Sequence, residues 1–322
     1  MKVSQTVFRA RSANLCSADR TCDSELIDTE LYATFLRQIL TFRCESETST
    51  LYLPPMDNIQ EHLHKSFHDQ QLAVKVPQIT IFFWIIKILC TTVGETFADF
   101  LNTTLGFGLN GTTVVTVIAL VIVLFFQFRA KTYTPVLYWL VVVLISIAGT
   151  LFTDNLTDNL NVSLLTSTIV FSICLAAVFA IWCKSEKTLA IHSIYTDKRE
   201  AYYWLTILFT FALGTATGDL VAERFSLGYG ISFGIFAGII AVVALGWHFK
   251  KINAVLAFWT IYVITRPLGA SIGDQLSQAK KDGGWGLGTT KTSIIFLSAI
   301  LVLVIYLVRS KRDQIKLEQP AK

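Results

Sequence analysis

The chain has 322 residues, a formal net charge of +4, 53% hydrophobic residues and a mean hydropathy of +0.55. A soluble domain of this size alternates apolar and polar residues to keep a wet surface; here the apolar residues come in long blocks, which excludes that class. No basic stripe interleaved with aromatics is present, so no nucleic-acid partner is expected, and the cysteines form no CxxC pair that would argue for a disulfide framework or a zinc site. They are expected as small buried hydrophobes.

Residues 1–75 contain no spanning segment and are expected as a polar cytoplasmic N-terminal segment. The best apolar stretch, 31–42, is interrupted by Thr34, Arg37, Gln38 and Thr41, so it is no signal-peptide core. Residues 1–55 hold five Arg and one Lys, whereas from residue 56 onward there are six Arg and fifteen Lys. Met56 is the only methionine after Met1. The shift favours a functional chain starting at Met56, with 1–55 upstream of it, over a real cytoplasmic extension. Before the first apolar block come Glu61, His62, His64, His68 and Asp69. His64 and His68 share a helical face that could bind a transition metal, but a solvated juxtamembrane segment is the expected reading.

Apolar blocks such as 114–126, 136–147 and 294–308 approach bilayer thickness at about 1.5 Å per residue. Helices are expected near 79–98, 112–128, 135–153, 163–183, 201–218, 229–248, 252–272 and 292–308. Four of them open on an aromatic–Trp pair, at Trp84, Trp139, Trp204 and Trp259. Ten residues after each Trp stands Gly (Gly94, Gly149, Gly214, Gly269), and fifteen after it stands Asp (Asp99, Asp154, Asp219, Asp274). Such coincidence marks an internal repeat. Trp spacings of 55, 65 and 55 residues further pair the units into two halves. Each unit reads as helix, short polar loop, helix. The expected organisation is 76–134, 135–199, 200–251 and 252–310, with a cytoplasmic tail at 311–322. An even helix count per unit makes the repeats parallel. The fold class is therefore an all-α membrane protein of about eight transmembrane helices, arranged as four parallel two-helix repeats.

Charge in the loops sets an expected orientation. Connections between units carry Arg129 and Lys131, then Lys184, Lys187, Lys198 and Arg199, then Lys250 and Lys251. Arg309, Lys311 and Arg312 follow the last helix. Loops inside the units carry no Lys or Arg in the first two and Arg224 in the third, with Lys280, Lys281 and Lys291 in the fourth as the dissenter. The positive-inside rule places both termini in the cytoplasm.

The segments FFWIIKILCTTVGETFADFL, YWLVVVLISIAGTLFTDNL, YWLTILFTFALGTATGDL and FWTIYVITRPLGASIGDQL resemble a bacterial membrane-protein family of four tandem two-helix repeats. That family is described chiefly as a repeat of unknown function with a characteristic Trp. The resemblance spans roughly residues 76–310 and implies a bacterial inner-membrane protein. It implies little about activity.

Ionisable groups inside a spanning segment are costly and are functional candidates by default. The first helix contains Lys87, Glu95 and Asp99 with Thr91 and Thr92 between them, and Glu95 and Asp99 share a face at i, i+4. Thr150/Asp154 and Thr215/Asp219 repeat that spacing with a hydroxyl in place of the first acid. The fourth unit has Ala270/Asp274 preceded by Arg266-Pro267, where Pro should kink the helix. The expected ion-binding set is Glu95, Asp99, Asp219, Asp274, Thr91, Thr92 and Thr215. Glu95 and Asp99 are the candidate metal ligands, and Lys87 and Arg266 the counter-charges. The four Trp, the four Gly and Asp154 are expected to serve the repeat structurally, the Trp as belt or packing residues.

Carboxylates, hydroxyls and carbonyls suit a hard cation such as magnesium, calcium or manganese. The expected function is an integral membrane transporter, an exporter of a hard divalent cation such as manganese. Two alternatives stand beside it: a transporter of an organic solute or anion bound by Lys87 and Arg266, and a non-transporting scaffold whose polar residues only join helices. No HExxH occurs, the Gly-rich 283–292 lacks a phosphate-loop order, and Gly218-Asp219 and Gly273-Asp274 follow from the repeat. Neither enzymatic activity nor a cofactor is expected. The expected partners are the lipid bilayer and a small ion or solute, and the sequence leaves the oligomeric state open.

Overall fold

In the computed structural model the described residues are 74–314 apart from Ser226. The Met56 start, the His64/His68 face and most of the 311–322 tail lie outside them. Among them, eight helices are long and apolar enough to cross a membrane: α1 (Ile81–Asp99), α2 (Gly108–Arg129), α3 (Pro135–Asp154), α4 (Leu164–Glu186), α5 (Asp197–Asp219), α6 (Gly228–His248), α7 (Ala254–Ser277) and α8 (Thr289–Ser310). Among the described residues no strand occurs. The described residues are those of an all-helical, multi-pass membrane protein.

Helix starts follow local chemistry. Pro135 opens α3, where its missing N–H costs nothing. Ser163, Thr196 and Asn253 each accept a backbone N–H of the first turn of α4, α5 and α7. The Thr196 cap and the acids Asp197 and Glu200 start α5 at residue 197, four residues before the apolar stretch that marks it in sequence. After α1, α3 and α5 the chain widens into one π-helical turn: Phe100–Thr104, Asn155–Asn159 and Leu220–Arg224. Gly106 and Gly108 then turn the chain into α2 with φ of 69° and 67°, a backbone that side-chain-bearing residues resist. Cys90 and Cys174 carry free thiols.

The helices sort into an inner and an outer set. Of the spanning windows of α1, α3, α5 and α7, 61%, 72%, 67% and 61% is buried, against 17%, 33%, 11% and 28% for α2, α4, α6 and α8. The outer helices expose Val114, Ile118, Val121, Ile173, Val242 and Val302, as lipid-facing surfaces should. Each outer helix packs on the inner helix of the next unit: α2 on α3, α4 on α5, α6 on α7, and α8 back on α1. The inner helices contact one another in the same cyclic order.

Two layers show how the ring closes. The aromatic preceding each Trp packs on the Trp of the following unit: Phe83 on Trp139 (centroids 5.6 Å apart), Tyr138 on Trp204 (5.4 Å), Tyr203 on Trp259 (6.3 Å) and Phe258 on Trp84 (5.7 Å). The repeat glycines pack in the same sense. A Cβ on Gly94 would collide with Ser146, on Gly149 with Phe211, on Gly214 with Arg266, and on Gly269 with Thr91. Each glycine admits the residue seven positions after the next unit's Trp, so small residues set the helix spacing.

The segment before α1 is tied across the Trp end of this ring. The Lys75 N–H donates to the Ile194 carbonyl (3.0 Å), the Gln78 N–H to that of Asp313 (2.9 Å), and the Tyr133 N–H to that of Val74 (3.2 Å). Lys75 Nζ donates to Glu200 Oε2 (2.8 Å), Asp197 Oδ1 (2.9 Å) and the Phe128 carbonyl (3.1 Å). Buried Glu200 also accepts from Gln127 Nε2 (2.9 Å) and Trp204 Nε1 (3.2 Å). Burial pulls the Lys75 ammonium down, but the hydrogen bonds and charges of Glu200 and Asp197 outweigh it and hold it above its ordinary value. Tyr133 donates its phenol proton to Asp313 Oδ2 (2.5 Å). Burial, then the Asp313 charge, pushes that phenol up.

Candidate functional site

Within the closed ring, the positions seven and eleven residues after each Trp converge on the space between the four inner helices. The first set is Thr91, Ser146, Phe211 and Arg266; the second is Glu95, Thr150, Thr215 and Ala270. All eight side chains are buried. Arg266 on α7 reaches the second set on all three other helices. Its Nη2 donates to Glu95 Oε2 on α1 (2.8 Å), to Thr215 Oγ1 on α5 (2.8 Å) and to Thr150 Oγ1 on α3. Its Nη1 lies 3.4 Å from the Thr91 carbonyl oxygen. The fourth unit's own residue at this level is Ala270, which takes up little of the space the guanidinium needs. Gly214 gives the Arg266 stem its passage, since a Cβ there would strike Arg266 Cβ and Cγ.

The direction of the hydroxyl protons matters here. Thr215 Oγ1 donates to the Phe211 carbonyl (3.1 Å). Thr150 Oγ1 lies 3.3 Å from the Ser146 carbonyl and 3.5 Å from Glu95 Oε2, acceptors both. With their protons aimed at acceptors, both threonines turn lone pairs toward Nη2. The centre is thus one carboxylate and two hydroxyl oxygens, all acceptors, sharing the two N–H groups of one terminal nitrogen of a positively charged guanidinium. A cation satisfies such a set and an anion does not. Arg266 is fully buried and the Glu95 side chain is 11% exposed, so the attraction acts with little water screening.

Lys87 lies one turn toward the Trp end on α1. Its ammonium has no hydrogen-bond partner and sits over the rings of Phe211 (4.0 Å to the centroid) and Tyr262 (4.3 Å). It faces aromatic rings rather than an acid, so its expected role as a counter-charge has no ion pair behind it. Cation–π contacts contribute about 0.5–1 kcal/mol at exposed sites and about 2 kcal/mol or more when desolvated. Beyond it the aromatic layer, with Tyr138 and Tyr203 joined hydroxyl to hydroxyl at 2.5 Å, fills the Trp end.

Toward the other end lie the four repeat aspartates. Asp99, Asp154 and Asp219 are the last residues of α1, α3 and α5, each followed by its π-helical turn, whereas α7 runs three residues past Asp274. Asp274 is buried and the other three are half-buried. All four stand fifteen residues after the Trp of their unit, one turn beyond the level of Glu95.

The expected set is therefore divided. Glu95, Thr215 and Arg266 meet; Thr91 contributes its backbone carbonyl, while its hydroxyl and that of Thr92 bond to the Ile88 carbonyl within α1. Asp99, Asp219 and Asp274 stand in the layer beyond, together with Asp154. Among the described residues no three His, Cys, Asp or Glu side chains come together as a metal-holding group. Thr150 is absent from the expected set and belongs at the centre; its position eleven residues after Trp139 was the available signal. Phe211, under both cations, offered no signal of its own. Trp139, Trp204 and Trp259 are buried packing residues, and Trp84 is half-buried.

Four stretches of the chain, residues 82–133, 137–188, 202–253 and 257–313, match the family described as Repeat of Unknown Function (DUF347). No curated protein and no solved structure matches the chain.

Proposed function

For this chain, which belongs to the Repeat of Unknown Function (DUF347) family, we propose an integral membrane transporter that moves a hard divalent cation such as manganese across a bacterial inner membrane. Both termini lie in the cytoplasm in this reading. One observation carries it: acceptor oxygens from three inner helices converge on a single buried point of positive charge. Convergence of this kind, backed by a layer of four aspartates, supports cation handling better than helix joining. A scaffold needs hydrogen bonds between neighbours, not acceptors from three helices aimed at one nitrogen.

The Trp end, which carries the inter-unit Lys and Arg residues, faces the cytoplasm on the positive-inside rule. The aspartate layer then faces outward and raises the local concentration of cations at the mouth. Flux of Mn²⁺ into proteoliposomes holding a metal-sensitive dye tests the reading. The wild-type chain should carry Mn²⁺ and Glu95→Gln should lose it at matched, monodisperse reconstitution; no wild-type flux with Mn²⁺, Mg²⁺ or Ca²⁺ would end it. Whole-cell metal content reads the direction, since cells lacking an exporter accumulate its metal. The unpartnered ammonium of Lys87 favours a second reading, transport of an organic anion. Loss or gain of an organic solute, with metal content unchanged, would select it.

A further inference from the structure

We infer that the Arg266 guanidinium occupies the cation's own binding site, as a tethered stand-in that the transported ion must displace. This rests on the transport reading above and deepens it: the site is the oxygen cage around Nη2, not the aspartate layer.

The cage consists of Glu95 Oε2, Thr150 Oγ1 and Thr215 Oγ1, with the Thr91 carbonyl beside it at Nη1. Every one of these atoms is an oxygen acceptor. Calcium takes such ligands at roughly 2.3–2.6 Å, and magnesium at about 2.0–2.1 Å with several waters retained. Oxygens held at 2.8 Å from a nitrogen need contract by about 0.2–0.5 Å to meet calcium and by about 0.7–0.8 Å to meet magnesium. Arginine and a metal ion are mutually exclusive here, because the ion would have to stand where Nη2 stands, within the same three oxygens.

The chain also provides a way for the guanidinium to leave. Pro267 follows Arg266 inside α7 and donates no hydrogen bond to the turn before it, so the helix is weakest where the arginine is mounted. Asp274, buried two turns further along the same helix, is the carboxylate toward which the displaced guanidinium would turn. A carrier built this way returns without cargo while its buried carboxylate stays neutralised. Without such a stand-in, an emptied Glu95 would remain charged and unpaired at membrane depth.

The test uses the full chain, with Mn²⁺ binding followed by electron paramagnetic resonance in nanodiscs and Mn²⁺ flux in proteoliposomes. Arg266→Gln should bind Mn²⁺ at least about tenfold more tightly than wild type and saturate at lower concentration, since the internal competitor is gone. Adding Glu95→Gln to that variant should abolish the gain, and Arg266→Lys should stay near wild type. If wild type carries Mn²⁺ while Arg266→Gln binds it no more tightly, the stand-in role is wrong and the transport reading survives. If neither chain binds or carries Mn²⁺, Mg²⁺ or Ca²⁺, both fall. Should Arg266→Gln fail to fold, the double variant Thr150→Val/Thr215→Val carries the test. It keeps the Arg266–Glu95 pair and should weaken Mn²⁺ binding at least about tenfold, and undiminished binding overturns the cage.

Discussion

Replacing Lys75 by Met tests whether the segment before α1 is a structural clasp. The ammonium lies 2.8 Å from Glu200 and 2.9 Å from Asp197, with side-chain exposures of 6%, 1% and 81% respectively. The Asp197 contact is solvent-facing and adds little. The Glu200 contact is buried, and removing one partner of a buried pair costs about 3–5 kcal/mol. Gln127 and Trp204 still donate to Glu200 in the variant, so the lower end, about 3 kcal/mol, applies. Thermal inactivation in detergent, followed by size-exclusion profile at several temperatures, reads the loss as a rate. Lys75→Met/Glu200→Gln should recover much of it, because no buried carboxylate is then left without its cation. The pH sign follows from the raised Lys75 value: its contribution is complete below the ordinary 10.5 and fades only as pH climbs through the folded-state value. The deficit of the single variant should therefore be constant from about pH 6 to about pH 9. A Lys75→Met chain as durable as wild type, or a double variant more fragile than the single, would refute the clasp.

The packing glycines give a sharp contrast. Gly149→Val should cost about 3 kcal/mol or more, because its Cβ meets Phe211 and the Ala212 backbone nitrogen. Gly238→Ala, with nothing within 4 Å, should be neutral or slightly stabilising in the same inactivation assay. Tyr203→Phe removes the hydroxyl pair with Tyr138 and should cost about 1 kcal/mol, with the fold unchanged by tryptophan fluorescence. Among the acids, Glu95→Gln should abolish Mn²⁺ flux, while Asp99→Asn and Asp154→Asn in the layer beyond should do much less; losses at all four aspartates equal to that at Glu95 would favour a symmetric ring over a local site. Reporter fusions at Lys198 should read cytoplasmic and at Asn110 external, and the reverse would invert the assigned orientation.

Much of the fold is legible because a repeat multiplies a weak signal. One Trp followed ten residues later by Gly carries little information, but four such pairs fixed the inner helices to within a few residues of their observed ends. Periodicity says that units are alike, not which faces meet. That Gly94 would admit Ser146 of the next unit, and Gly269 Thr91 of the first, required coordinates. The Arg266–Glu95 contact was half legible. Cost in the membrane marks both residues, but the same rule marks Lys87, whose neighbours are aromatic rings. Thr150 stood out in sequence only by its spacing to Asp154, and the hydroxyls of Thr91, Thr92, Thr150 and Thr215 all reach their own helix backbone, so residue type did not say which would face Arg266. Lys75 escaped because it sits outside every apolar block, where an isolated lysine carries no signal.

Quasi-fourfold closure also explains where the units had to diverge. Positions that pack between neighbours can be the same in every unit, and the Trp and Gly positions are. A position facing the shared interior cannot carry an arginine in each unit, because four guanidiniums there would repel one another in a medium that screens poorly. One unit bears the cation, the others supply its acceptors, and the donor's own unit is trimmed to Ala270. The aspartates nearer the end tolerate fourfold repetition because three of them are half-buried and reach water. Divergence among otherwise equivalent interior positions is therefore the physical mark of the site in a ring of repeats. By that criterion the levels seven and eleven residues after each Trp outrank the more conspicuous aspartates.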